Sequence, residues 1–514
     1  MSWKINASRA CLALILLCAG LARGQAQTPR HPLGVYAHVS LEDAIEAYKK
    51  SGSSEGEHRW LRGLYGGLFL NNPGLAGITF GIHWDQIQVD DPDCVFLHNC
   101  KPGADENGND WDYMEDVFAA ATAAGRKVQL IITPGVDSPN WLLGRLSSCD
   151  SLFTPATLPP GKDCGKVTFS KFPEQSHADG NIMPLPWSRT YEFWWWRFLA
   201  QVNDRYRFNT TFVSISVAGP ICASPEMILP TTLNNSLQLS GLAADKAWKA
   251  LIKNAFPDAD QDFRDSDQVF IDHWNQTIDK FVNIFKDVTL VLTPDSGDDF
   301  PEFNDDAPSH PGWLFALDCA KATDYPMSCD AKTKVIEHFL AADAKAAKAT
   351  QVGGMTAASA LIPGRDGIGI GGIKLLAAGT ADSAPILGGA EFDHAVWDPA
   401  TTQSEGCPYA SGCPPPPLTV EEAAYNVFKV FFDRTEFAGD YGGRAGPEPA
   451  PMQWVDLDYG DIVYAQENPN PTLPTTVPCA LSLQELIDEA SWNLYTISNQ
   501  APLVAAPKLP PSCQ

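Results

Sequence analysis

Two glutamates stand at the ends of segments that the sequence predicts as β-strands. Glu226 follows the segment 212–217, and Glu391 ends the segment 385–391. In an eight-stranded α/β barrel the carboxyl ends of the strands face one mouth, so these two side chains would meet there. Cleavage of a glycosidic bond needs such a pair. One protonated carboxyl gives its proton to the leaving oxygen, and one carboxylate attacks the anomeric carbon. In retaining enzymes the two carboxyl groups lie about 5–5.5 Å apart. The plainer alternative is two unrelated loop carboxylates.

The elements that must position this pair alternate between strands and helices. Strands are predicted over 34–39, 75–83, 127–133, 212–217, 288–292, 351–357, 385–391 and 452–455. Helices are predicted over 111–124, 191–206, 267–285, 332–348, 420–433 and 481–495. The segment 371–378 fits either a short helix or the sixth strand, and we prefer the helix. These predictions rest on hydrophobic periodicity and on strand-forming composition.

Eight strands that alternate with helices predict the α/β class, as a (β/α)8 TIM barrel forming a single catalytic domain over 27–514. The loops after the strands are long and would form the C-terminal face of the barrel. An open doubly wound sheet shows the same alternation. That fold usually carries a Gly-rich turn for a nucleotide after its first strand, and no such turn follows 34–39.

The charge of the chain restricts its partners. The 514 residues carry 36 basic and 62 acidic side chains, which gives a net charge of −26. Such a surface repels the phosphate backbone of nucleic acids and anionic membrane surfaces. We therefore expect no nucleic-acid or membrane partner, whereas an oligosaccharide, polysaccharide or other glycoside is compatible with the charge.

The first residues have the pattern of a secretory signal peptide. Basic residues precede the apolar stretch 11–20, which is too short to span a membrane, and the small-residue site 24–26 follows it. Removal of 1–26 would place the mature chain outside the cell or in the periplasm. Cys18 suggests a lipoprotein as an alternative, but Leu17 occupies the place where a small residue is required.

The cysteines fit an oxidising compartment, because most of them occur in close pairs. Disulfides are the preferred interpretation, and they would brace the loops around the mouth. A zinc site is less consistent with the unequal spacings. Cys222 remains unpaired by spacing and is either a buried thiol or a nucleophile. The expected pairs are Cys94 with Cys100, Cys149 with Cys164, Cys319 with Cys329, Cys407 with Cys413, and Cys479 with Cys513.

Aromatic and acidic residues near predicted strand ends are candidates for sugar binding, because flat rings stack on the C–H faces of pyranosides. The alternative for each ring is packing in a core, and for each acid a solvated loop. The segment 194–196, three consecutive tryptophans on a predicted helix, is interpreted as structural. The candidate substrate-binding residues are Trp84, Asp85, Trp141, Asp295, Trp397 and Trp454, and His83 lies beside two of them.

The sequence has neither a P-loop nor an H-E-x-x-H motif, so we expect no nucleotide cofactor and no catalytic metal. A metal-dependent hydrolase of another bond type is a rival interpretation, and the lack of clustered ligands among only 10 His residues counts against it.

Two stretches resemble a known family. ITFGIHWDQIQ (78–88) and DWDYMEDVFAAATAAGRKVQLIITPGVDSPNWL (110–142) are similar to the pattern of family 42 β-galactosidases. That family belongs to the barrel clan of retaining glycoside hydrolases, with the acid/base on the fourth strand and the nucleophile on the seventh. The resemblance is sharp over 75–143 and implies that Glu226 is the acid/base and Glu391 the nucleophile.

The chain departs from this family beside the proposed acid/base. The family usually has Asn immediately before that Glu, and here Pro225 precedes Glu226. The family's Asn helps to hold the sugar 2-hydroxyl, so that role is unassigned here. A non-catalytic carbohydrate-binding barrel derived from such an enzyme is therefore an open alternative.

Overall fold

The structure is a computed structural model, and it describes backbone and side chains over most of the N-terminal half and the C-terminal elements. The strands 373–380 and 383–392 are described by their backbone pairing. The described residues are 30–97, 99–149, 164–169, 181–219, 229, 244–259, 268–292, 338, 373–380, 383–392, 452–468, 481–497 and 500–506.

Eight of the described strands form a closed ring in the order β1-β10-β9-β8-β7-β6-β3-β2, and β4 pairs with β5 in a separate antiparallel sheet. The strands are β1 (Gly34–Ser40), β2 (Leu75–His83), β3 (Lys127–Thr133), β4 (Lys166–Phe169), β5 (Asn181–Pro184), β6 (Phe212–Ser216), β7 (Thr289–Leu292), β8 (Ile373–Thr380), β9 (Ser383–Phe392) and β10 (Met452–Asp458).

Helices follow most of the described ring strands, as expected for the α/β class. They are α1 (Leu41–Ser51), α2 (Glu57–Asn71), α3 (Trp84–Ile87), α4 (Cys94–Leu97), α5 (Asp112–Ala124), α6 (Asn140–Arg145), α7 (Arg189–Tyr206), α8 (Ala244–Ala255), α9 (Gln268–Ile284), α10 (Tyr459–Glu467) and α11 (Leu483–Ile497). A 3-10 turn covers Gly135–Asp137. Within the described residues, no helix has both the length and the apolar character needed to cross a bilayer.

The first helix shows how the sequence sets element boundaries. Ser40 caps α1, and its side-chain oxygen accepts a hydrogen bond from the backbone N–H of Asp43 at 3.1 Å. Acidic residues occupy the first turn and basic residues the last, which complements the helix dipole. The helix ends at Gly52, whose φ of 60° is readily adopted by glycine. Gly125 follows α5 in the same left-handed conformation.

Most predicted elements within the described residues are confirmed, including the strands 75–83 and 127–133 at their predicted bounds. The tryptophans of 194–196 pack on the core, two of them buried and one partly buried, which confirms their structural interpretation. The predicted helix 332–348 lies outside the described residues except for its residue 338, and the strand 351–357 and the helix 420–433 lie entirely outside them.

The segment 371–378 departs from the prediction, because the preferred helix is wrong and β8 occupies most of it. β8 runs antiparallel to both β7 and β9, whereas the other pairs of neighbouring ring strands are parallel. Only two residues separate β8 from β9, and Thr380 pairs with Ser383. Ladder hydrogen bonds on both edges stabilise this Gly-containing segment as a strand. The ring therefore differs from a regular, all-parallel (β/α)8 barrel.

Two apolar layers stabilise the ring. Outward-facing strand residues such as Val35 and Val128 pack with helix residues such as Leu61 and Phe118 in the larger core. A smaller cluster joins residues of β1, β2, β6, β7 and β10, and strands on opposite sides of a ring can meet only through its interior. Tyr495 of α11 and Leu503 pack against this inner cluster. The members of the inner cluster are Tyr36, Ala76, Val213, Val291 and Trp454.

Two of the expected disulfides are present. Cys94 is bonded to Cys100 with a Cα–Cα distance of 4.8 Å, and Cys149 is bonded to Cys164 with a Cα–Cα distance of 5.1 Å. They brace segments that follow β2 and β3. The other three expected pairs, and Cys222, lie outside the described residues.

Gly77 and Gly81 of β2 give a matched test of packing inside the ring. A Cβ atom at Gly77 would collide with the carbonyl oxygen of Lys127 and with the ring of Tyr36, whereas one at Gly81 would meet only ordinary contacts. We expect Gly77→Ala to lower the free energy of unfolding by about 3 kcal/mol. Gly81→Ala should change it far less. Urea denaturation of both variants measures the difference, and equal losses would contradict this packing.

Asp488 of α11 carries a carboxyl whose pKa is raised from its ordinary value. Partial burial is the main cause, the Glu485 carboxylate adds to it, and a hydrogen bond from Gln484 opposes it. Because the folded-state pKa exceeds the unfolded one, the folded state binds this proton more tightly. The contribution of Asp488 to stability is therefore present at acidic pH and is lost as the pH rises through the folded-state pKa.

We expect Asp488→Asn to raise the melting temperature at neutral pH and to lose this advantage near the ordinary carboxyl pKa of about 4. Glu46→Gln is the control, because its exposed carboxylate pairs with Lys50 and has a lowered pKa, so the substitution should bring no gain. Thermal unfolding at several pH values measures both. If Asp488→Asn raised the melting temperature by the same amount at every pH, the raised pKa of the partly buried carboxyl would not be the cause.

Candidate functional site

A polar belt crosses the interior of the ring above the inner apolar cluster. Asp456 of β10 is only 3% exposed and accepts hydrogen bonds from Thr79 Oγ1 at 2.6 Å and Gln129 Nε2 at 3.0 Å. Gln129 Nε2 also donates to Thr79 Oγ1, and Ser214 Oγ donates to Gln129 Oε1 at 2.8 Å. These four side chains, here called the interior belt, connect β2, β3, β6 and β10.

The interior belt gives a buried carboxylate the hydrogen bonds that it needs. A buried charge without such donors is strongly destabilising, so the hydroxyl of Thr79 and the amide of Gln129 compensate for the lost hydration of Asp456. The belt also fixes β10 relative to β2 and β3, two strands that precede it by more than 300 residues. The register of the ring is thereby specified from inside.

Polar side chains lie close together at the carboxyl ends of the first strands, on the far side of the interior belt from the inner apolar cluster. His83 ends β2 and is half-buried, and its Nδ1 lies 3.6 Å from Asp137 Oδ1 and 3.7 Å from Glu42 Oε1. Asp137 belongs to the turn after β3, and Glu42 to the first turn of α1 after β1. The segments that follow three neighbouring strands therefore meet at this end of the ring, which we call the mouth.

Two residues on the inward face of β1 and β2 are only partly buried. His38 is in the middle of β1 yet half-buried, and Gly81 beside it is also half-buried. Thr133, the last residue of β3, is in register with His83. Thr133 Oγ1 and Ser138 Oγ are buried and have no hydrogen-bond partner within the described part of the chain.

The backbone places Glu391 one residue before the end of β9, at the same end of the ring. It is in register with Asp456 of β10 and opposite Lys374 of β8. The expectation that this glutamate ends a ring strand agrees with the strand bounds, and its role as nucleophile stays a prediction. Glu226, Asp295 and Trp397 lie outside the described residues.

Trp84 is placed in the core and not at an open surface. Its side chain is fully buried in contact with the rings of Tyr191, Trp195 and Phe198. Its Nε1 donates a hydrogen bond to Gln88 Oε1 at 3.0 Å, so the polar edge is satisfied internally. The expected stacking of this ring on a sugar is therefore not available in this structure. Trp84 instead supports the base of the segment that carries His83.

Trp454 is likewise fully buried, as a member of the inner apolar cluster. It is in register with Gly34, the first residue of β1, and so lies at the end of the ring opposite the mouth. The expectation that it contacts a sugar at the strand end does not fit this position, because the strand extends beyond it to Asp458.

Trp141 and Asp85 are more accessible. Trp141 is half-buried, and its ring meets the edge of Trp194 at a centroid distance of 5.2 Å. The guanidinium of Arg145 lies 5.4 Å from the centroid of Trp141, so the ring is held between aromatic and cationic neighbours. Asp85 is half-buried in α3, directly after His83 and Trp84. Their roles as substrate-binding residues stay predictions.

Sequence reasoning missed the interior belt and His38. The sequence does contain a sign of the belt, since Thr79 and Gln129 are single polar residues in the interior of otherwise apolar strands. Their partner Asp456 lies so far along the chain that only the closed ring reveals the contact. Among the described residues, no three His, Cys, Asp or Glu side chains are grouped so that they could hold a metal ion.

Comparison with known proteins gives little further guidance. No protein-family model and no curated protein match the chain. Two solved structures of endo-glycoceramidase II from Rhodococcus sp., with a cellobiose-like imidazole and a cellobiose-like isofagomine, align at 13% identity and TM-scores of 0.25 and 0.23. Each alignment covers 62% of this chain and 64% of the other. That protein is a glycoside hydrolase, but similarity this weak carries no argument about activity. The resemblance to family 42 gains no support.

Thr79→Val tests the interior belt, because it removes one donor from the buried carboxylate while keeping the side-chain shape. We expect a loss of about 2 kcal/mol in the free energy of unfolding, since Asp456 loses a hydrogen bond that water cannot replace. The control is Thr277→Val, which removes a bond from a buried hydroxyl to the carbonyl of His273 within α9. Denaturation curves compare the two, and a smaller loss for Thr79→Val would contradict the role of the belt.

Proposed function

We propose that the protein is a secreted glycoside hydrolase that cleaves O-glycosidic bonds with retention of anomeric configuration. The observation that carries the proposal is the position of Glu391. It lies next to the end of a ring strand, in register with the buried Asp456, at the end of the ring where His83, Asp137 and Thr133 also lie. A closed ring of strands commonly carries its chemistry at this end.

In the proposed mechanism Glu391 is the nucleophile and Glu226 the acid/base. The Glu391 carboxylate attacks the anomeric carbon while Glu226 gives its proton to the leaving oxygen, and the bond between that carbon and oxygen breaks. A water molecule then attacks the glycosyl-enzyme, Glu226 takes a proton from it, and the Glu391 carboxylate is released. Both steps use only carboxyl chemistry and water, so the proposal requires no cofactor.

The rigidity of the ring supports this role. A nucleophile must be held close to the reacting carbon, and small displacements are costly in rate. The backbone of Glu391 is paired on both sides, with β8 and with β10. On the β10 side its register partner Asp456 is fixed by the interior belt. The proposed nucleophile thus stands on a fixed strand and not on a loop.

The substrate class is a glycoside, with an oligosaccharide or polysaccharide as the natural form. The strongly acidic chain and the hydroxyl groups at the mouth favour a polyhydroxylated ligand without negative charge. The disulfides Cys94–Cys100 and Cys149–Cys164 support secretion, because such bonds persist in oxidising compartments.

We expect Glu391→Gln to abolish turnover of aryl glycosides while the melting temperature changes little, because the amide cannot act as nucleophile. Glu226→Ala should lose most of its activity and regain part of it with azide on substrates that have good leaving groups. Glu55→Gln is the control, since its exposed carboxylate pairs with Arg59 outside the ring. Full activity of Glu391→Gln would remove it from the mechanism.

Because Pro225 precedes Glu226 where the resembled family has Asn, a second candidate function is a carbohydrate-binding barrel that does not hydrolyse its ligand. The same assays separate the two. Binding of sugars without hydrolysis of any aryl glycoside by the unmodified protein would establish the binding function and reject the enzyme.

A further inference from the structure

The chain contains the motif Asn-x-Ser/Thr, which accepts N-linked glycans in secretory pathways that have an oligosaccharyltransferase. Outside the predicted signal peptide the motif begins at Asn209, Asn234 and Asn275. Asn234 lies outside the described residues. The surroundings of the other two decide which side-chain amide can carry a glycan in the folded protein.

Asn209 lies in a tight turn between α7 and β6, and because it precedes β6 it is at the end of the ring opposite the mouth. The backbone N–H of Asn209 donates to the carbonyl of Tyr206 at 2.8 Å, and that of Phe212 donates to the carbonyl of Asn209 at 3.1 Å. The neighbours Phe208 and Thr210 are exposed, and the exposed fraction of Phe208 is 80%. The turn is therefore well defined and faces solvent.

The two polar atoms of the Asn209 side chain have different surroundings. Oδ1 accepts a hydrogen bond from the backbone N–H of Thr211 at 2.9 Å, as in an Asx turn. Nδ2 is neither buried nor hydrogen-bonded within the described part of the chain. An N-linked glycan replaces one hydrogen of Nδ2 and leaves Oδ1 unchanged. The modified side chain can therefore keep the hydrogen bond that forms the turn.

Asn275 has the less favourable surroundings. It lies in the middle of α9, and its Oδ1 is buried without a hydrogen-bond partner among the described residues. Thr277, the third residue of its motif, is only 2% exposed and donates a hydrogen bond to the carbonyl of His273. Because this amide is partly packed inside the protein, a glycan on it would disturb the packing of α9.

We propose that Asn209 is an N-glycosylation site. Nδ2 attacks the anomeric carbon of an oligosaccharide carried on a lipid pyrophosphate, and a bond forms between that nitrogen and that carbon. The bond from the carbon to the phosphate oxygen breaks, the lipid pyrophosphate leaves, and Nδ2 loses one proton to a base of the transferase.

The burial of Thr211 sets the order of transfer and folding. The motif requires its hydroxyl. In the folded chain Thr211 is only 5% exposed, and its Oγ1 lies 2.9 Å from Thr122 Oγ1 in a hydrogen bond. Transfer therefore precedes the folding of this segment. The inference rests on the secretion part of the proposed function and not on glycoside hydrolysis.

The test reads the occupancy of Asn209 in protein that has passed through a glycosylating secretory pathway. The full chain is expressed in insect cells, and a second culture expresses 27–514 behind a secretion signal of the host. Peptide N-glycosidase in water enriched in heavy oxygen converts a glycosylated Asn to a labelled Asp, which mass spectrometry locates. We expect the label at Asn209 in most of the protein in the medium and no label at Asn275. Thr211→Ser should keep the label, and Thr211→Val should remove it.

The outcomes separate this inference from the proposed function. If Asn209 is unmodified in the second culture, or is modified only in chains retained inside the cells, the inference is wrong. A label that persists in Thr211→Val would also contradict it. Secretion and labelling in the second culture alone would keep the site and reject secretion by the chain's own first residues. Labelling of a protein that hydrolyses no aryl glycoside would keep the site and reject the enzyme.

Discussion

The pairing of β1 with β10 is the constraint on which the rest of the structure depends. It closes the ring by joining strands more than 400 residues apart, and it brings Asp456 into the interior. There the carboxylate is stabilised by hydrogen bonds from Thr79 and Gln129. A buried carboxylate with these donors is tolerated in one register only, because a shift of one residue would turn it to the opposite face.

This closure links the architecture to the proposed chemistry. The inner apolar cluster fills one end of the ring, and the interior belt lies between this cluster and the mouth. His83 and Asp137 lie at the mouth, and the backbone of Glu391 lies near the same end of the ring, in register with Asp456. By the same electrostatic argument, the acidic character of the chain leads us to propose an uncharged ligand at the mouth and no nucleic-acid partner.

Local sequence patterns predicted the positions of most strands and helices well, but they did not predict which residues these strands and helices contact. The strand 75–83 was predictable because its apolar run ends at polar residues, and Gly125 marked the end of α5. The helix preferred for 371–378 was wrong, because this segment forms a strand by pairing with β7 and β9, and the local sequence does not show that pairing. Trp84 and Trp454 also misled, since a tryptophan near a strand end has the same sequence pattern whether it packs in a core or faces a ligand.

The most direct measurement of the central claim is chemical trapping of the glycosyl-enzyme. A panel of 2-deoxy-2-fluoro glycosides with good leaving groups forms a slowly hydrolysed covalent intermediate with retaining enzymes, and mass spectrometry of the digested protein locates the labelled residue. The account predicts one sugar attached to the peptide that contains Glu391. A label on a different carboxylate, or no covalent adduct while the unmodified protein hydrolyses the parent glycoside, would contradict it.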